Sequence, residues 1–126
     1  MYVWRKLKGM GAILLHDSAW VLPANDRTRE KLQWLASEII EMDGGEAMLW
    51  ESKQVFTGSE DDLKAQFMSQ VDALYRDILK QLERKNPDLA ALSRGYQSAN
   101  GQDYFQSDLG KKVYKALLEL QRKGDS

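Results

Sequence analysis

Between Leu63 and Leu82 the apolar residues Leu63, Phe67, Val71, Leu74, Ile78 and Leu82 recur at three- and four-residue intervals without a break. That period belongs to an α-helix with one buried stripe, since a strand turns alternate residues to opposite faces. Ser59-Glu60-Asp61-Asp62 in front of it resembles a capping box, and Asn86–Pro87 behind it stops the helix. A long helix with one apolar stripe is stabilised mainly by what covers the stripe. The same period returns in Leu109, Val113, Leu117 and Leu120, with Ser107 placed as the cap. A short helix over 88–94 and a loop over 95–101 are predicted between them, so the C-terminal half is expected to be helical.

The N-terminal half reads differently. Val3, Leu7 and Met10 keep helical spacing, Arg5, Lys6 and Lys8 fill the other faces, and Gly9 and Gly11 end the segment. Two short apolar runs, 12–15 and 19–23, flank His16-Asp17-Ser18, which is the pattern of a hairpin. Pro23 closes the second strand because it has no N–H to give to a ladder. Asn25 or Asp26 can cap a second helix with the stripe Leu32, Leu35, Ile39 and Met42, ended by Gly44–Gly45. Glu46 to Ser52 reads as a further strand. The expected class is α+β in one domain, an α-β-β-α-β module over 1–52 followed by a helical portion over 59–126.

Composition narrows the chemistry. With 126 residues and 43% hydrophobic content the chain can build a single-domain core. The absence of cysteine excludes disulfides, thiol nucleophiles and zinc–thiolate sites, and one histidine leaves little for a transition metal. No metal site and no cofactor are expected. No apolar run reaches the roughly 18 residues of a membrane span, and the basic-then-apolar start is too short for a signal peptide, so the expectation is a cytoplasmic protein without a membrane partner. A net charge of −1 exerts no global pull on nucleic acid, so any such role rests on a local patch.

The segment Trp4 to Pro23 resembles the N-terminal domain of the chromate-resistance protein ChrB family. The likeness is carried by Trp4, Arg5, Leu7, Lys8, Gly11, Ala12, Leu15, Asp17, Trp20, Leu22 and Pro23. The stretch Gly44 to Glu51 and the Asp103-Tyr104-Phe105 element before the last helix look like further parts of it. The middle domain of phenylacetate-type repressors is similar at a greater distance. The resemblance implies a ferredoxin-like βαββαβ fold and a transcriptional regulator whose chromate response depends on a larger C-terminal domain, so chromate sensing is not carried over. Family members open with a strand before the basic helix, whereas here that helix begins almost at Met1. The expected sheet therefore lacks its first strand. It is closed by parallel pairing of 19–23 with 46–51, by a strand from a partner, or by residues upstream of this start, and we expect a homodimer.

Arg5, Lys6 and Lys8, with Lys111, Lys112 and Lys115 in the last helix, are the candidate nucleic-acid contacts. Cations on a helix supply phosphate affinity without reading sequence. Solvated faces are the commoner use of such charge. His16 beside Asp17 could form an acid–base pair, but no nucleophile accompanies it and an exposed turn is the simpler reading. The tryptophans are assigned mainly to packing, with Trp34, off the strict stripe of its helix, the one expected in solvent. Tyr104 and Phe105 are expected to anchor the last helix, with Asp103 near its start. Glu60, Asp61 and Asp62 are read as acidic residues favoured at a helix N-terminus rather than a metal cluster. The expected function is a non-enzymatic, DNA-associated regulatory module. The alternative is a protein-interaction or oligomerisation module that binds no nucleic acid, and a small hydrolase or nuclease is the weakest reading.

Overall fold

The computed structural model describes residues 2–16, 18–52 and 60–124, without the side chains of His16, Glu60 and Asp61. It is α+β, with helices α1 (Tyr2–Gly9), α2 (Asp26–Glu41), α3 (Glu60–Leu82), α4 (Leu89–Asn100) and α5 (Asp108–Gly124), and strands β1 (Ile13–His16) and β2 (Ala19–Val21). The chain divides into two compact units, 1–60 and 61–126. No described helix is long and apolar enough to cross a membrane.

In the first unit α1 ends in a tight capping turn. The Ala12 N–H donates to the Leu7 carbonyl and the Gly11 N–H to the Lys8 carbonyl, both at 3.0 Å. This closure needs a left-handed residue, and Gly11 supplies it at φ 80°. It drops Ala12 onto Leu7 and feeds the chain into β1. The hairpin pairs Ile13 with Val21, Leu14 with Trp20 and His16 with Ala19, so Leu15 is the extra residue of a bulge. Helix α2 is capped by Asn25, whose side chain accepts from the Thr28 N–H while Thr28 Oγ1 accepts from the Asn25 N–H. Thr28 Oγ1 also reaches the Pro23 carbonyl at 2.6 Å, tying the helix start to the end of the hairpin. After α2 the backbone folds so closely that a Cβ on Gly45 would lie 1.8 Å from the Ile39 carbonyl oxygen. The core of this unit is Leu7, Ala12 and Leu35, flanked by Val3, Met10, Trp20, Leu22, Leu32 and Ile39.

The second unit packs α3, α4 and α5 around Val71, Tyr75, Ile78, Leu92, Ala99, Val113 and Leu117. The α3 stripe is as expected at Phe67, Val71 and Ile78, but between them Tyr75 is fully buried and Leu74 is exposed. The inward line steps 67–71–75–78, one residue on from the strictly apolar choice. A tyrosine is accepted there because its hydroxyl finds a partner. Asn86, in a left-handed conformation at φ 58°, and Pro87 end the turn after α3, and Asp88 caps α4 by accepting from the Ala91 N–H at 3.1 Å.

Two expectations are corrected. Residues 95–100 are helical, extending α4 to Asn100, rather than a loop. Ala99 is buried and Tyr96 packs against the same core, and this burial outweighs the low helix propensity of Gly95. Residues 46–52 form no strand, and Trp50 is 79% exposed rather than packed. Among the described residues the sheet has only β1 and β2, so this segment adds no third strand to it. The expected Ser59 cap and the Asp17 half of the acid–base pair lie outside the described residues.

Candidate nucleic-acid interface

Helix α1 turns Val3 and Leu7 into the core, which leaves Tyr2, Trp4, Arg5, Lys6 and Lys8 exposed. Lys6 and Lys8 sit in its last turn, where the negative end of the helix dipole favours cations. The three cations do not form one cluster. Lys8 Nζ lies 5.8 Å from the centre of the Trp4 ring, while Lys6 Nζ lies 5.5 Å from that of Tyr2. Arg5 and Lys6 face a groove between α1 and α2, and Lys8 lies outside it.

The groove encloses about 580 Å³. Helix α1 contributes Tyr2, Arg5 and Lys6, α2 contributes Lys31, Trp34 and Glu38, and Gly9, Met10 and Leu35 complete it. Lys31, Trp34 and Glu38 share a face of α2 with Arg27 because they follow at four-, three- and four-residue steps. The Tyr2 hydroxyl donates to Glu38 Oε2 at 2.5 Å, linking the two helices. That bond to a carboxylate raises the Tyr2 pKa above its ordinary value. Burial, and after it the neighbouring Arg27, pulls the Lys31 ammonium below its ordinary value. Among the described residues no carboxylate lies within ion-pair distance of Arg5, Lys6, Lys8 or Lys31. Trp34 is 67% exposed, as its place off the stripe implied, whereas Trp20 packs on the core.

Arg29 is differently engaged. It pairs with Asp26 at 2.8 Å and with Glu51 at 2.6 Å, pinning the segment after α2 back onto the helix. The bond that Arg29 donates to Glu51 raises the arginine's pKa, and the same bond lowers that of Glu51.

Lys111, Lys112 and Lys115 are exposed on α5, in the other unit. Lys111 stands 3.8 Å from Asp108 in a solvent-exposed pair. The element 103–105 behaves as an anchor. Tyr104 and Phe105 each lie 6.1 Å from the Phe67 ring centre, Tyr104 edge-on. Asp103 does more than begin a helix. It accepts from the buried Tyr75 hydroxyl and from the Ser107 N–H, and Ser107 Oγ in turn donates to Asp72 and caps α5 through the Leu109 N–H. Burial first, and then the bond to Asp103, raises the Tyr75 pKa strongly.

Sequence reasoning found Arg5 and Lys6 but missed Lys31 and Arg27 as their companions. The signal was present in the 27–31–34–38 spacing, yet nothing local to α2 says that α1 lies beside it. No curated protein and no solved structure matches this chain. The sequence family described as "Protein ChrB, N-terminal" matches residues 1–91, which takes in α1, both strands, α2, α3 and the start of α4. The chain therefore belongs to the ChrB N-terminal family.

Proposed function

We propose that this chain is a non-enzymatic, DNA-associated regulatory module of the ChrB type, working in the cytoplasm. In it Arg5, Lys6 and Lys8 contact duplex phosphates, and Lys111, Lys112 and Lys115 add contacts from the second unit. The observation that supports this most is the display of α1. Its three cations are exposed, and among the described residues none has a carboxylate within ion-pair distance. Such groups supply affinity by releasing condensed counterions. The family membership and the α-β-β-α order of the first unit support a ferredoxin-like origin for this arrangement.

The test is binding of a duplex carrying the protein's own upstream region across a salt series. Replacing Arg5 and Lys8 together by Ala lowers affinity and reduces the slope of log K against log salt by about 2, close to 0.9 per phosphate contact. A wild-type protein without salt-dependent binding near neutral pH overturns the reading.

The second reading, an oligomerisation module, is favoured by Met48, Leu49 and Trp50. They stand exposed in a segment that forms no strand, in a unit whose described sheet has only two strands. A strand supplied by another copy would cover such residues, and a homodimer is the form it takes.

A further inference from the structure

We propose that the groove between α1 and α2 binds a phosphorylated nucleoside unit, with the base stacked on Trp34 and the phosphate held by Arg5 and Lys31.

The charge of the groove asks for an anion. Arg5, Lys6 and Lys31 line it, and Arg27 adds a fourth cation one turn before Lys31. The one carboxylate in its lining, Glu38, accepts the Tyr2 hydroxyl. Burial first, and then the nearby Arg27, lowers the Lys31 pKa, and the second of these causes comes from the same gathering of positive charge.

The indole narrows the class of anion. Trp34 lines the groove yet leaves two thirds of its surface in water, 67% exposed. In the same unit Trp20 is drawn onto the core, while Trp4 and Trp50 are also exposed but line no part of the groove; Trp34 is the tryptophan whose exposed ring faces it. An inorganic or aliphatic anion would satisfy the cations and leave the ring in water. A planar base would cover the ring, and the guanidinium of Arg5 suits the oxygens of a phosphate. About 580 Å³ is within the usual size of a small-molecule site. The space beside Gly9, which lines the groove, is open, since a Cβ there would meet nothing within 4 Å. Duplex DNA holds its bases stacked inside the helix, so the unit that fits is a free nucleotide or one residue of a single strand.

This site shares Arg5 and Lys6 with the duplex reading above but differs from it in two respects. It uses Trp34 and Lys31, and Lys8 is not part of it. Calorimetric titration of the full chain with AMP, with a dT8 single strand and with inorganic phosphate tests it. AMP or dT8 binds saturably. Trp34→Ala weakens that binding roughly 5- to 150-fold, the usual worth of one stacked base, and Trp34→Phe keeps most of it. Lys31→Gln also weakens it, and Gly9→Leu blocks the groove. Lys8→Ala leaves AMP affinity unchanged even where it reduces duplex binding, which separates failure of one reading from failure of the other. Tighter binding of dT8 than of AMP identifies a strand as the source, and the reverse identifies a free nucleotide. Thermal melts confirm that the variants fold, and the solvent position of Trp34 keeps that variant informative if Gly9→Leu does not fold. No binding of AMP or dT8, equal binding by Trp34→Ala, or inorganic phosphate binding as tightly as AMP overturns the proposal.

Discussion

The hydroxyl of Tyr75, on α3, donates to Asp103 Oδ2 at 2.9 Å in the turn before α5. Tyr75 is completely buried, and among the described residues no buried side-chain nitrogen or oxygen lacks a partner. Asp103 also receives the Ser107 N–H, so one carboxylate holds the core tyrosine and the start of α5 together.

Removing the carboxylate therefore costs more than removing the hydroxyl. Tyr75→Phe loses one hydrogen bond, roughly 0.5–1.5 kcal/mol. Asp103→Ala strands the Tyr75 hydroxyl and the Ser107 N–H, at about 1–3 kcal/mol for each buried group left unpaired. Urea denaturation of the two variants should rank Asp103→Ala as the less stable.

Stability should fall at alkaline pH. The Tyr75 pKa is raised in the folded chain, by burial first and then by Asp103, above its ordinary 10.0. The unfolded chain therefore releases this proton first. The contribution is fully present below pH 10 and is lost as the pH rises above it. Tyr96, raised by burial and by Tyr114, acts in the same direction. Tyr75→Phe should flatten the decline in unfolding free energy above pH 10 without abolishing it.

Gly110 allows α5 to approach Tyr75. A Cβ there would stand 2.9 Å from the Cε2, Cζ and hydroxyl atoms of that ring, which has no free space to retreat into. Gly110→Ala should cost about 1–3 kcal/mol through overpacking, despite the better helix propensity of alanine. A lowered melting temperature checks this.

Trp50 is the residue to change for the oligomeric reading. At 79% exposure it contributes nothing to the core of its own unit, so Trp50→Glu should leave the melting temperature of the unassociated chain nearly unchanged. If residues 46–52 pair two copies, light scattering should find a dimer for the native chain and a monomer for this variant. A native chain that stays monomeric at high concentration removes that reading.

The sequence by itself determined where α2, α3 and α5 run. The apolar spacing of α2, α3 and α5, the cap at Asn25, the stop at Asn86–Pro87 and the cap at Ser107 are local patterns. They depend on backbone geometry within a turn or two, so they are legible without knowing the partner. The cationic α1 and the solvent position of Trp34 were legible for the same reason. Tertiary structure decided the rest. Gly95 became helical because Tyr96 and Ala99 had a core to enter, Tyr75 displaced Leu74 from the inward line because Asp103 awaited its hydroxyl, and residues 46–52 added no third strand to the described two-stranded sheet. The groove itself belongs to neither helix. Arg5 and Lys31 line it together because Leu7 and Leu35 share one core, and burial between elements distant in sequence is set by the whole core rather than by spacing along the chain.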